Sequence, residues 1–329
     1  MTGPRMAVVG IDHRHIYTMA AHMVDAGGTL VAWATDGEPG TLPGWRDRFP
    51  DLPRRDATAI LADPDIDLIL TAAVPADRPA LAVRAMAAGK HVLSDKPGAL
   101  TLPDLDRIRD ACARTGRRWE VDFSERYEVP SVTRATRLIR DGAIGRLVDI
   151  TLIAPHRLNA ATRPDWFWDP RRGGGILADI GSHQIEQVLH FAGADDATIE
   201  YADVDCMEHP PFQDRGRIAM RAGDVTGTIL LHWFTPDGLP AWGDGRLFAT
   251  GTTGTLEVRK YVDPAGRPGA DHVILTDATG VRRFDASDDP LPFFGWFAAT
   301  LGDPQRDHPF AVTRLAIQAQ DIAERRREC

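Results

Sequence analysis

The sequence predicts an α/β protein in two parts: a doubly wound parallel sheet over residues 1–125, then an α+β domain with a mostly antiparallel sheet over 126–329. Three observations predict it. The first third alternates short β-branched runs with amphipathic helical stretches, the pattern of βαβ units. After about residue 125 the runs follow one another directly, joined by short Gly and Asp turns. With 329 residues the chain also exceeds the size at which one core usually keeps growing.

In the first part the strand candidates are "MAVVGI", "TLVAWAT", "DLILTAA", "HVLSD" and "RWEVDF". Between the third and fourth, "PALAVRAMAAGK" places Leu81, Ala85 and Ala88 on one helical face and stops at Gly89. "PDLDRIRDACARTG" has Pro103 in a first-turn position and ends on Gly116, so it too reads as a punctuated helix. In the second part, the helix "PSVTRATRLIRDGAIG" precedes "LVDITLIAP", "RIAMRAG", "VTGTILLHW", "RLFATG", "TLEVRK" and "HVILTD". Hairpin turns are expected at "RAGDVTG" and "ATGTTGT". "HPFAVTRLAIQAQDIAERRR" reads as an amphipathic terminal helix, free to pack back on the first part.

A net charge of −9, with acids scattered along the chain, argues against general attraction to nucleic acid or anionic lipid. No apolar run approaches the roughly 20 residues a membrane span needs, and "MAVVGI" is too short for a signal segment, so a cytoplasmic protein is expected. Cys112, Cys206 and Cys329 are far apart and form no C-x-x-C pair; free thiols are expected, with neither disulfide nor structural zinc.

Chemistry concentrates in four stretches. "GIDHRH" follows the first strand where a dinucleotide-binding turn would read G-x-G-x-x-G, yet only Gly10 of the three glycines is present, with Asp12 and His15 in the other two positions. Asp12 either faces the phosphates or caps the following helix. His13, Arg14 and His15 would lie in its first turn, as potential cations beside exposed N–H groups. A His13-x-His15 metal pair with a distant carboxylate is a rival reading, but eleven histidines make chance pairs common and no second ligand cluster is visible, so no metal is expected. In "GKHVLSDKPGAL", Lys96 stands at the carboxyl end of a strand, where ligands of open α/β sheets lie. In "RRGGGILADIGSHQIEQVLHFAG", glycines permit close backbone approach, and one helical stretch sets Asp179 and His183 four apart on a face, either an acid/base pair or a surface ion pair. Finally, Arg163, Trp166 and Trp168 in "RPDWFWDPRR" would either stack on and bind a sugar-like ring or pack a domain boundary.

"DIDLILTAAVPADRPALAVRAMAAGKHVLSDKP" followed some eighty residues later by "GGGILADIGSHQIEQVLHFAG" resembles the family of glucose-fructose oxidoreductase, inositol dehydrogenase and the rhizopine-catabolism dehydrogenases (Gfo/Idh/MocA). The "DGAIGRL" turn and "ATGTTGTLEV" hairpin extend the likeness over nearly the whole chain. The resemblance implies an N-terminal Rossmann domain, a C-terminal domain with a large open sheet, a homo-oligomer (dimer or tetramer) and a small carbohydrate-like substrate bound between the domains. It also implies hydride exchange between nicotinamide and a hydroxyl or carbonyl of a sugar, polyol or cyclitol. The family's E-K-P lysine falls on Lys96, and its D-x-G-x-H segment places the acid at Asp179 and the histidine at His183. His183 would take the hydroxyl proton, Lys96 would polarise the same oxygen and Asp179 would orient substrate or imidazole.

The cofactor set implied is Gly10, Ile11, Asp12, His13, His15, Asp36, Ala73, Val74, Arg78, Asp95, Lys96 and Pro97. Asp36, near the end of the second strand with no arginine adjoining it, favours NAD over NADP. The chain departs from the family in four places: Asp95 replaces a glutamate, Ala72-Ala73-Val74 replaces A-T-P, Arg78 replaces a histidine, and the loop lacks two glycines. Two other functions fit the same residues: an enzyme that oxidises transiently with bound NAD to drive elimination or glycoside cleavage, and a cofactor-free ligand-binding protein.

Overall fold

A computed structural model describes residues 3–327 except Pro264. Cys112 and Cys206 are free thiols there, and Cys329 lies outside the described residues. The chain divides into two compact units. The first holds residues 1–127, 162–174 and 292–314; the second holds 128–161, 175–291 and the remainder from 315. No helix among the described residues is long and apolar enough to cross a membrane.

In the first unit, numbered along the chain, the elements are β1 (Arg5–Val9), α1 (Ile16–Asp25), β2 (Thr29–Ala34), α2 (Leu42–Arg48), α3 (Ala57–Ala62), β3 (Leu68–Thr71), α4 (Arg78–Ala87), β4 (His91–Asp95), α5 (Leu102–Thr115), β5 (Trp119–Asp122) and α6 (Ser124–Tyr127). The strands form one parallel sheet in the order β2-β1-β3-β4-β5. Every residue of β3, β4 and β5 is buried, as expected of parallel strands covered on both faces. Beyond β2, Arg54 makes an isolated parallel bridge to Trp33, which marks the place of the further edge strand in a full Rossmann order. The expected punctuation is present. Pro103 stands in the first turn of α5 and Gly116 ends it at φ 65°; Thr101, which the sequence reading did not single out, caps the helix by accepting from Asp104 N–H. α4 closes through Gly89 N–H to Met86 O (2.9 Å) and Lys90 N–H to Ala85 O (2.9 Å), with Gly89 at φ 81°.

β1 has β2 on one side and β3 on the other, so the sheet's switch point lies at the carboxyl ends of β1 and β3. Gly10 makes the turn there. Its φ is 84°, and a Cβ on it would stand 2.5 Å from the Cβ of Ala73, so no side chain fits. Three later helices of this unit, α8 (Asp165–Trp168), α9 (Pro170–Gly173) and α12 (Pro292–Ala299), come from segments distant in sequence.

The second unit contains α7 (Pro130–Arg140), β6 (Leu147–Pro155), α10 (Gly175–Asp179), α11 (Gly181–Ala192), β7 (Thr198–Asp205), β8 (Arg215–Ala222), β9 (Val225–His232), β10 (Arg246–Gly251), β11 (Gly254–Arg259), β12 (His272–Asp277) and β13 (Gly280–Asp285). Part of α13 (His308–Arg327) belongs to it as well. The strands form one eight-stranded sheet, β13-β12-β11-β10-β6-β9-β8-β7, antiparallel except for the β6/β9 pair. Burial alternates along β6, β8 and β9, and α7, α10 and α11 contact one sheet or another strand of it. β7 and β13 were not expected from the sequence. Each is an edge strand, and β13 reads "GVRRFD", largely exposed and polar, with little hydrophobic alternation to mark it.

Candidate active site

The centre of the first unit's loop cluster is Asp95, the last residue of β4, with no solvent exposure. Its Oδ2 lies 2.7 Å from Nδ1 of His13 and accepts from Nη2 of Arg78 at 2.9 Å; its Oδ1 lies 2.9 Å from Nδ1 of His15. The two imidazoles meet edge to face, with ring centroids 4.3 Å apart. Burial opposes ionisation of Asp95, but Arg78, His15 and His13 together outweigh it and hold the carboxyl well below the usual range. Burial, then the neighbouring His15, push His13 down to about 4 against the pull of Asp95. His13 is therefore neutral at pH 7 and is no cation for a phosphate, contrary to the expectation from its place in the loop.

Arg78 is 1% exposed, and its guanidinium is turned into the protein. Nε donates to Ala73 O (2.7 Å), and Nη1 donates to the carbonyls of Asp95 (3.0 Å), Pro97 (3.1 Å) and Lys96. One side chain thus ties the end of β3 to the end of β4 and fixes the backbone of Lys96, which is itself 4% exposed.

Asp12 does not cap α1. The capping residue is His15, in helical conformation, with no side-chain cap bond. The chain takes an extra turn first: Ile16 N–H bonds His13 O (3.3 Å), Tyr17 N–H bonds Arg14 O (3.2 Å) and His13 N–H bonds Ala72 O (2.9 Å). Asp12's carboxylate instead accepts from its own N–H, and burial raises its pKa against the lowering influence of Arg78, with Asp77 and Asp36 adding to the rise. Ile11 is fully buried, and its carbonyl accepts from the Thr41 hydroxyl.

Asp36 is exposed just past β2. An arginine does adjoin it, in space rather than in sequence: Nη2 of Arg54 donates to Thr35 O (3.0 Å) and Gly37 O (3.2 Å), with the guanidinium over the Trp33 ring. The gap of eighteen residues hid it. These features fit a dinucleotide at the switch point: a glycine turn too tight for a Cβ, an acid for ribose hydroxyls at the end of β2, and Ala73 and Val74 closing the end of β3 with little bulk.

The 162–174 segment packs in this same unit. Trp166 lies edge to face with His13, ring centroids 6.5 Å apart; Arg163 stacks on Phe167 at 4.3 Å; and Trp168 meets Phe167 at 5.5 Å. Arg171 pairs with Asp169, and Arg172 with Asp77.

In the second unit, Asp179 and His183 do not share one continuous helix. Asp179 ends α10, Ile180 intervenes, and His183 lies in the first turn of α11. Asp179 is half-buried and His183 is 1% exposed. α11 buries His183, Gln184, Glu186 and Gln187 together, and Gln187 accepts from the ammonium of buried Lys260 at 2.8 Å. Gly175, at φ 74°, has Oε1 of Gln213 where a Cβ would stand, 2.3 Å away, so this glycine serves close packing.

Family comparison decides the ancestry. The family model for an oxidoreductase family with an NAD-binding Rossmann fold matches residues 44–123, and the model for the GFO/IDH/MocA C-terminal domain matches 132–257. The chain belongs to the Gfo/Idh/MocA family. It is similar to the 1-carboxy-3-chloro-3,4-dihydroxycyclohexa-1,5-diene dehydrogenase of Comamonas testosteroni, 30% identical over 197 residues, 57% of this chain and 47% of that protein. It is also similar to myo-inositol 2-dehydrogenase of Thermotoga maritima, 24% identical over 69% of this chain and 65% of that protein. The match to the first of these thus spans about half of that relative's length. A crystal structure of an oxidoreductase of Erwinia carotovora atroseptica superposes with a TM-score of 0.93 at 38% identity, covering 97% of this chain and 98% of the other.

Within this family fold, sequence reasoning missed the joint role of Asp95 and Arg78. A signal existed. The carboxylate that ends β4 is one methylene shorter than the glutamate of the family pattern, and two imidazoles stand in the loop that faces it.

Proposed function

We propose that this chain is a nicotinamide-dependent dehydrogenase acting on a hydroxyl or carbonyl carbon of a sugar, polyol or cyclitol. The observation that carries the reading is Lys96, buried at the carboxyl end of β4 beside the switch point, with its backbone held by Arg78. The names of the relatives support the substrate class, since both curated proteins cited above are dehydrogenases of hydroxylated six-membered rings.

Gly10, Ile11, Asp12, Ala73, Val74, Asp95 and Pro97 would border the cofactor, and Asp36 would accept from the adenosine ribose hydroxyls. The bound nicotinamide supplies or takes the hydride. Lys96 donates a hydrogen bond to the reacting oxygen and stabilises charge on it; the His183 imidazole accepts the hydroxyl proton; Asp179 orients the substrate or the imidazole. Trp166 offers a ring face for an apolar sugar surface, and Arg163 and Trp168 support it through Phe167. NAD is preferred because Asp36 repels a 2'-phosphate; Arg54 beside it narrows that preference. By family analogy the working form is a homo-oligomer.

The test is calorimetry and thermal shift of cofactor-stripped protein with NAD and NADP, then a panel of sugars and cyclitols. Stabilisation by NAD with turnover of a panel member is expected. Lys96→Met and His183→Asn should each lower turnover roughly a hundredfold or more with cofactor affinity little changed. Silence with both cofactors at millimolar concentration would refute the dehydrogenase reading.

A further inference from the structure

Among the described residues one group of metal-ligating side chains stands together: His13, His15 and Asp95, each with a donor atom within 4.8 Å of the others. The geometry points to a binding site for a divalent transition metal of the zinc class, with these three side chains as its ligands. The inference rests on ligand geometry; it shares Asp95 with the cofactor border proposed above and is tested by metal binding to cofactor-stripped protein rather than by turnover.

The ligands come from two rigid places. His13 and His15 sit on a turn pinned by Gly10 at one end and by the His13 N–H bond to Ala72 O, and the turn runs straight into α1. Asp95 is the end of a central, fully buried strand, 80 and 82 residues away in sequence. Two ring nitrogens and a carboxylate form the three-ligand set that leaves a fourth position open for water or another ligand. Zinc, cobalt and nickel favour such nitrogen-rich sets, whereas magnesium and calcium favour oxygen.

The separations decide how much must move. Nδ1 of His13 and of His15 lie 2.7 and 2.9 Å from the Asp95 oxygens. A tetrahedral cation with bonds of about 2.0–2.1 Å holds its ligand atoms roughly 3.3 Å apart. The gaps must therefore open by about half an ångström. The imidazoles are 19% and 29% exposed and Asp95 has no exposure, so the opening falls to the rings rather than to the carboxylate. On metal binding, each ring presents an unprotonated Nδ1 to the cation, so any proton there is released or moves to Nε2.

Arg78 then takes a defined role. It donates to Oδ2 of Asp95, the outer hydrogen bond that orients a ligating carboxylate. Its charge, with that of Lys96 next along the chain, also repels a cation, so micromolar rather than structural-zinc affinity is expected. The metal-free alternative is a closed network of two imidazole hydrogen bonds to one carboxylate.

The experiment uses tag-free full-length protein, stripped with chelator, titrated with Co2+ and followed by visible absorption, then displaced by Zn2+. One equivalent should bind, with the absorption bands of four-coordinate cobalt and no thiolate charge-transfer band, which separates this site from the cysteines. His13→Ala and His15→Ala should each weaken Co2+ and Zn2+ binding at least about tenfold. Thermal melts of the apo variants show that they are folded, and His15→Gln provides a second, less disruptive variant. No Co2+ or Zn2+ binding by the folded wild type, or binding unchanged in both histidine variants, overturns the proposal.

Discussion

Replacing Arg78 by Met removes a buried guanidinium while keeping much of its stem volume. In the wild type it makes one ionic bond to Asp95 and four bonds to the carbonyls of Ala73, Asp95, Lys96 and Pro97. Counting each orphaned carbonyl separately would overshoot, because carbonyls relax and the imidazoles stay with Asp95. Breaking a buried pair by removing one partner costs roughly 3–5 kcal/mol, since the remaining charge loses its compensation. The loss belongs to the ends of β3 and β4, so hydrogen exchange by mass spectrometry on peptides covering 68–74 and 91–98 is the assay. At about 1.4 kcal/mol per decade, protection there should fall by roughly two to four decades. Arg78→Lys keeps the charge but not the fork and should fall between. Adding Asp95→Asn to Arg78→Met should restore part of the protection by deleting the stranded charge. Exchange in Arg78→Met within about fivefold of wild type, or no recovery in the double variant, would refute the view that Arg78 is the structural tie.

Three further outcomes are expected. Gly10→Ala combines a left-handed backbone with a Cβ 2.5 Å from that of Ala73; a loss of roughly 2–4 kcal/mol is expected, read as a lower urea midpoint together with weaker NAD binding. His91 is buried, its Nδ1 accepts from the Arg118 N–H at 3.0 Å, and burial followed by Arg117 and Arg118 pushes its pKa down to about 4. The unfolded chain therefore takes up a proton before the folded one does. Stability is full above about pH 6.5 and falls as pH drops toward about 4, by at most about 3 kcal/mol; His91→Asn, which retains an acceptor but does not titrate, should flatten that part of the urea-midpoint profile. Asp36→Ala should narrow the NAD preference measured calorimetrically, and adding Arg54→Ala should weaken NADP more than NAD; equal loss for both cofactors would remove Arg54 from 2'-phosphate recognition.

The sequence by itself determined what depends on local periodicity and punctuation. The five parallel strands, α4 with Gly89, α5 with Pro103 in its first turn and Gly116 at its end, and the hairpins at 221–227 and 249–255 follow from side-chain spacing and backbone freedom, which act over a few residues. The same holds for Gly10, because only glycine fits a left-handed turn against Ala73. Tertiary structure decided everything that needed a partner far along the chain. Asp95 meets His13 and His15 because β4 and β1 are laid in one sheet with β3 between them, and Arg54 reaches the neighbours of Asp36 because the edge of the sheet turns back along β2. The break at Ile180 is of the same kind: the spacing of Asp179 and His183 matches an unbroken helix, and the chain instead runs α10 and α11 as separate segments. Ionisation is decided there too, since a histidine in an exposed-looking turn before a helix reads as a cation until burial and a neighbouring imidazole push its pKa down to about 4.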